Sequence, residues 1–305
     1  MSEAAPVAET RCGFVALVGA PNVGKSTLLN QLVGAKVSIV TPKVQTTRSQ
    51  VRGIAMRDNS QIVFVDTPGI FAPRRRLDRA MVAAAWSGAG DADLVAVLID
   101  AKKGLDEEAR AIIDRLAHQG HKKSLIINKI DLAPRESLLA LAAAADKLAR
   151  FERIFMISAT KGDGVDDVLR YFAEAVPPGP YHYPADEISD LSERLMAAEI
   201  TREKLYLRLH EELPYQSTVE TDSWKELKDH SVRIEQTIFV ERESQRKIVL
   251  GEGGQMIKAI SMQARKELAA ALDRKVHLFL HVKVREDWEN DPERYRAAGL
   301  EFPKN

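Results

Sequence analysis

Gly19-Ala20-Pro21-Asn22-Val23-Gly24-Lys25-Ser26 decides how this chain folds. The apolar run FVALV ends just before it, and a helical pattern over 26–33 follows. A glycine-rich turn between a strand and a helix offers backbone N–H groups to phosphate at the positive end of the helix dipole. Gly19 and Gly24 permit that turn, Lys25 reaches the β- and γ-phosphates, and the Ser26 hydroxyl, followed by Thr27, is placed to ligate Mg²⁺. Three more motifs close apolar runs downstream: Asp66-Thr67-Pro68-Gly69 after QIVFV, Asn128-Lys129-Ile130-Asp131 after SLII, and Ser158-Ala159-Thr160 after FMI. In a parallel sheet the carboxyl ends of the strands converge on one crevice, so such loops surround one ligand. Asp66 is expected to serve Mg²⁺ directly or through water, with the Gly69 N–H meeting the γ-phosphate. Asp131 can accept two hydrogen bonds from guanine N1–H and its exocyclic amine, a donor pair adenine lacks. A site built on such donors rejects the wrong base by about 10⁴ or more. Ser158-Ala159 would add a backbone N–H to guanine O6. Together the motifs describe a guanine-nucleotide pocket.

Outward from that core, strand-like and helical runs alternate from Arg11 to about Val176. FVALV, QIVFV, LVAVLI, SLII and IFMI lack the period-two alternation of half-exposed strands, as strands covered on both faces should. Helical segments at 26–33, 107–119 and 136–150 lie between them, which gives an α/β, doubly wound, mostly parallel sheet. Pro177-Pro178-Gly179-Pro180 blocks both helix and central strand, so 177–190 reads as a linker. Beyond it, 191–212 and 255–272 fit helices, and 217–221, 232–241 and 276–284 fit strands, a small α+β domain. The expected division is a disordered start over 1–10, a nucleotide-binding domain over 11–176, the linker, a second domain over 191–285 and a tail over 286–305.

The 305 residues balance 44 basic against 44 acidic side chains, so no whole-chain field argues for a polyanion partner. The split matters more: 24 basic and 20 acidic residues run through Pro180, then 20 and 24 follow. Any nucleic-acid site in the second half must therefore be a local basic face. Cys12 is the only cysteine, which excludes an intramolecular disulfide and fits a reducing compartment. MSEAAPVAET has no apolar core segment, so it is not read as a signal peptide, and Asp91 and Asp93 interrupt the apolar stretch Met81–Ile99. A soluble cytoplasmic protein is expected.

From Phe14 to about Phe172 the motifs resemble the conserved loops of translation-factor-class GTPases. The resemblance implies a switch I loop near 41–48 in which Thr46 or Thr47 meets Mg²⁺ in the GTP state, Thr47 being preferred beside Arg48. Ile70 stands where many small GTPases carry the glutamine that orients the attacking water, so residue 70 cannot do so here. Asn22 matches the P-loop asparagine of GTPases that use K⁺ near the phosphates, where a monovalent cation offsets transition-state charge; its other reading is a cap on the turn. Arg74-Arg75-Arg76 reads as a solvated switch II face.

Gly251-Glu252-Gly253-Gly254 precedes a helix and forms a GxxG turn of the kind that lets KH domains clamp about four nucleotides. The helix, two strands, turn, helix and strand around it resemble a type II KH domain. With Glu212-Leu213-Pro214-Tyr215, the whole chain resembles the Era family of bacterial GTPases. That resemblance implies GTP hydrolysis, with Lys25, Asn22, Thr47 and Gly69 acting on the phosphates and Ser26, Thr47 and Asp66 serving Mg²⁺. It also implies binding of 16S rRNA near its 3′ end, assistance to 30S subunit maturation, peripheral association with the inner membrane, and no DNA partner. Glu252 and Gly253 fill positions that commonly carry Lys or Arg, so RNA affinity must come from elsewhere, with Lys258, Arg265, Lys266, Arg246 and Lys247 as the candidates. The competing reading is a signalling GTPase whose C-terminal domain binds a protein.

Overall fold

The computed structural model describes residues 9–210, 213–286, 291–297 and 299–303. The disorder expected at the N-terminus falls mostly on residues outside that set, as do Glu212 and part of the tail. There are two compact units: one runs to Ser38 and resumes over Thr47–Asp190 with the segment from Gly299, and the other joins Ile39–Thr46 to the chain from Leu191.

The first unit alternates β1 (Arg11–Gly19), α1 (Lys25–Val33), β2 (Val51–Arg57), β3 (Ser60–Asp66), α2 (Arg76–Gly90), β4 (Leu94–Asp100), α3 (Glu107–Ala117), β5 (Lys122–Asn128), α4 (Arg135–Leu148), β6 (Arg153–Met156) and α5 (Val165–Ala175). Sheet order is β2-β3-β1-β4-β5-β6, antiparallel only between β2 and β3. Every residue of β3 and β4 is buried, which is what their unbroken apolar runs require. The sequence reading missed β2, because VRGIAMR holds two arginines and a glycine. It forms through a two-residue hairpin whose Asp58 sits at φ 51°, a conformation that primed turns need. Helix ends depart from expectation by one or two residues. Gly34 in the left-handed conformation stops α1, and the Asp106 carboxylate caps α3 by accepting the Ala109 N–H. Cys12 lies in β1, buried, its thiol donating to Gln61 Oε1.

The stretch read as a linker is no bare tether. Cys12 N–H donates to Pro177 O, Gln61 Oε1 accepts the N–H groups of His182 and Tyr183, and Ile54 N–H donates to Ile188 O. Met81–Ile99 divides between α2 and β4, and among the described residues no helix is long and apolar enough to cross a membrane.

The second unit contains α6 (Glu193–Arg208), β7 (Ser217–Glu226), β8 (Val232–Val240), α7 (Glu243–Leu250), α8 (Gln255–Ala271), β9 (Val276–Val284) and α9 (Pro292–Ala297). Its sheet runs β7-β8-β9, with β8 and β9 parallel. Ile260, Ala264 and Leu268 recur every fourth residue on α8 and bury against Ile238, Ile234 and Val276. Helix α7 was not foreseen. Its start is fixed by Gln245 Oε1, which accepts the N–H groups of Glu241 and Arg242, so the GxxG turn joins two helices.

Candidate functional site

The carboxyl ends of β1, β3, β4 and β5 carry Gly19, Asp66, Asp100 and Asn128 to one edge of the first sheet, and the Ser158 loop follows β6 there. Gly24 heads α1 at φ 100°, and a Cβ on it would lie 2.3 Å from Asn128 Nδ2, so the turn demands glycine on two counts. Asn22 is exposed and also left-handed, at φ 63°, a conformation asparagine tolerates better than most side chains. Ala20, Pro21 and Val23 are buried, and Thr27 is half-buried in α1. Lys25 Nζ donates to the carbonyls of Gly19 and Ala20 at 3.1 Å. Burial pulls its pKa down to about 8 against the opposing charge of Asp66.

Asp66, fully buried, is the hub. Its Oδ2 accepts from Ser26 Oγ at 2.6 Å, Ser38 Oγ at 3.0 Å and Thr47 Oγ1 at 3.1 Å, while Ser26 and Thr47 stand 2.9 Å apart. Its Oδ1 is buried with no hydrogen-bond partner among the described residues. Burial raises the Asp66 pKa, and Lys25 and the three hydroxyls pull the other way. One carboxylate with a free oxygen and neighbouring hydroxyls is an all-oxygen donor set that fits Mg²⁺, which binds through one or two carboxylates, phosphates and water. Thr46 is directed elsewhere: its hydroxyl donates to Lys43 O at 2.7 Å, and its carbonyl accepts from Arg202 at 2.6 Å.

Switch II is tight. Thr67 Oγ1 donates to Leu17 O at 2.7 Å, and a Cβ on Gly69 would lie 2.9 Å from the backbone of Pro21. Pro68 and Ile70 are buried, and the Ile70 N–H donates to Gly19 O at 3.1 Å. The Arg74–Arg76 run heads α2: the backbone N–H groups of Arg74 and Arg75 donate to Asp78, and Arg76 lies 5.0 Å over the Phe302 ring, so only Arg74 is a fully solvated side chain.

The base loops divide their work in a way the sequence reading did not foresee. Asn128, 1 % exposed, donates from Nδ2 to Val23 O at 2.8 Å and accepts the Ala159 N–H on Oδ1 at 3.0 Å. It is a brace between the P-loop and the Ser158 loop. The backbone N–H expected for guanine O6 is therefore engaged otherwise: Ala159 N–H serves Asn128, and Ser158 N–H donates to Asp163 O. Lys129 Nζ reaches Asn22 O at 2.6 Å and Asp100 Oδ2 at 2.7 Å. Asp131 is exposed, and the Ser158 hydroxyl bonded to it lowers its pKa, which favours the carboxylate acceptor. Thr160 is exposed beside it.

In the second unit Gly251, Gly253 and Gly254 have φ of 73°, 56° and 77°, and Glu252 between them is exposed. Gly254 forms the N-cap of α8, so this turn opens a helix as the P-loop does. Lys258, Arg265 and Lys266 are exposed on α8, outside the buried stripe of Ile260, Ala264 and Leu268. Lys247 is exposed, whereas Arg246 is tied to Glu243 and to Val282 O.

Comparison with known proteins draws these halves together. The family model for a 50S ribosome-binding GTPase matches residues 14–129, and the KH domain model matches 212–289. A GTPase Era of Bradyrhizobium sp. is 68 % identical over 301 residues, covering 99 % of this chain and 98 % of its own. The chain belongs to the Era family of GTPases. A GTPase Era of Rhizobium meliloti is 62 % identical, covering 99 % of this chain and 96 % of its own. An Aquifex aeolicus Era variant bound to GDP·AlF4⁻ superposes with a TM-score of 0.90 at 38 % identity, covering 95 % of this chain and 99 % of its own. An Era in complex with MgGDPNP and nucleotides 1506–1542 of 16S ribosomal RNA matches with the same figures.

As an Era-family member the protein is a GTP hydrolase, a P-loop GTPase domain followed by a KH domain. Three of its site residues escaped sequence reading. Asp100 closes β4 as Asp66 closes β3, a carboxylate at the end of a buried run, so its signal was present. Ser38 and Asn30 gave none, because they act through contacts with residues far along the chain.

Proposed function

We propose that this Era-family GTPase binds 16S rRNA near its 3′ end through the Gly251–Gly254 turn and assists maturation of the small (30S) ribosomal subunit in the cytoplasm. The observation that carries the reading is the turn itself: three glycines of positive φ between α7 and α8, with Lys258, Arg265 and Lys266 exposed on the helix it opens. Small residues let phosphodiester backbone come close, and cations beyond the turn supply the charge Glu252 withholds. The similar Era structure holding a 16S rRNA fragment supports the partner.

In the nucleotide half, Gly19–Thr27 cradle the phosphates, Lys25 meets the β- and γ-phosphates, and Asp131 with the Ser158–Thr160 loop faces guanine. Ser26 and Thr47, with Asp66 behind them, would hold Mg²⁺, which offsets charge on the transferring phosphoryl group. Gly69 sets the close approach of switch II to the P-loop, and Asn22 would place K⁺ beside the phosphates. Affinity of the full chain for an RNA carrying the 16S 3′ end tests the RNA reading. Gly254→Asp, which puts charge and bulk at the turn, should weaken it at least tenfold, about 1.4 kcal/mol. Undiminished binding would remove the turn from the interface, and no binding by the wild type would favour a protein partner.

A further inference from the structure

Both ends of the Ile39–Thr46 segment are fastened to one atom. Ser38 precedes the segment and donates to Asp66 Oδ2 at 3.0 Å; Thr47 follows it and donates to the same oxygen at 3.1 Å. Ser38 is held in turn by Asn30 of α1, the helix that the P-loop opens. Asn30 Oδ1 accepts the N–H groups of Val37 and Ser38, each at 2.9 Å, and its Nδ2 donates to Ser38 O at 2.8 Å. The Ser38 side chain is 4 % exposed, and nothing in the nucleotide motifs uses it.

An aspartate's terminal torsion is broad and roughly two-fold, so hydrogen bonds must choose its orientation. Ser26 and Thr47 have a second task as Mg²⁺ ligands; Ser38 does not. We propose that Ser38, bracketed by Asn30, is a positioning residue for the Mg²⁺–nucleotide reaction. Its hydroxyl keeps Oδ2 of Asp66 occupied and thereby leaves Oδ1 as the oxygen available to the cation or its waters. It also anchors the start of the loop whose far end carries Thr47. The inference rests on the Mg²⁺ assignment made above.

The test is dissociation of a fluorescent GDP analogue from the full-length protein across a Mg²⁺ titration and in excess chelator. Ser38→Ala should leave the chelator rate at the wild-type value, while release in Mg²⁺ speeds up and the Mg²⁺ midpoint rises, each about tenfold, as for loss of one hydrogen bond to a charged group. Ser38→Thr should restore both. Asn30→Ala, which keeps the hydroxyl but frees its backbone, should move the midpoint the same way and serves as the readout if Ser38→Ala does not fold. An unchanged midpoint overturns the inference, and so does equal acceleration with and without Mg²⁺, which would mark a packing role only. Ser26→Ala run alongside separates the two levels: if it too leaves the midpoint unmoved, the Mg²⁺ assignment fails, whereas a shift in Ser26→Ala alone removes only Ser38.

Discussion

Asn128→Ala tests whether the first base-loop residue is a brace or a base contact. The substitution removes a donor from Val23 O and an acceptor from the Ala159 N–H, both through a side chain that is 1 % exposed. Each buried group left unpaired costs about 1–3 kcal/mol. Two of them give about 2–6 kcal/mol, reduced where water reaches the opened space. Nucleotide binding must then reassemble the P-loop and the Ser158 loop without their common tie. Taking about 3 kcal/mol as the share that appears in binding, affinity falls roughly a hundredfold. The discriminating measurement is calorimetric affinity for GDP and IDP, which differ by the exocyclic amine. A brace holds the pocket whatever base enters, so both affinities should fall by the same factor. Loss confined to GDP would show that Asn128 reads the base and would refute the argument from its two hydrogen bonds.

Asp131→Asn replaces the exposed acceptor with a mixed amide and should shift preference from guanine to xanthine nucleotide; unchanged GTP affinity refutes its role in base choice. Hydrolysis should run faster in K⁺ than in Na⁺ at equal ionic strength, with Asn22→Ala erasing the difference, and equal wild-type rates in both salts would sink the cation assignment. Glu252→Lys should strengthen RNA binding several-fold at low salt and steepen its salt dependence, since it exchanges an acid for a base beside phosphate; indifference to the substitution in a filter-binding assay would place the RNA elsewhere.

What was legible in the sequence was local. The P-loop could be read because its glycines, Lys25 and Ser26 are consecutive and because strand and helix patterns flank them. Thr47 could be preferred over Thr46 only through the family resemblance; in the structure Thr47 donates to Asp66, and the Thr46 hydroxyl and carbonyl are engaged elsewhere. Strand β2 stayed hidden because Arg52, Gly53 and Arg57 break up its apolar run, although Gly53, Ile54 and Ala55 are all buried. Helix α7 stayed hidden because KIVL closes on glycine as a strand would, while its helical start depends on Gln245 reaching back two turn positions. The KH half carried no chemistry readable without resemblance: GxxG gains meaning from the elements around it. The tie that Asn128 makes between the P-loop and the Ser158 loop stayed hidden because its buried bonds run to residues 105 and 31 positions away.

Lys25 and Asp66 are two buried charges of opposite sign at the end of the first sheet. Burial disfavours the charged form of each, lowering the lysine and raising the aspartate, and their mutual attraction offsets only part of that cost. A phosphate meeting Lys25 would favour its charged form, and a cation near Asp66 would favour the carboxylate. Any coupling between phosphate and Mg²⁺ binding is reciprocal, the same factor whichever arrives first. Ile70 fits the same logic. Its side chain lies in the core and its N–H is bound to Gly19 O, so switch II contributes backbone position and no polar side chain there. The polar convergence lies instead at Asp66, whose Oδ2 accepts from Ser26 of the P-loop helix and from Ser38 and Thr47 at the two ends of switch I.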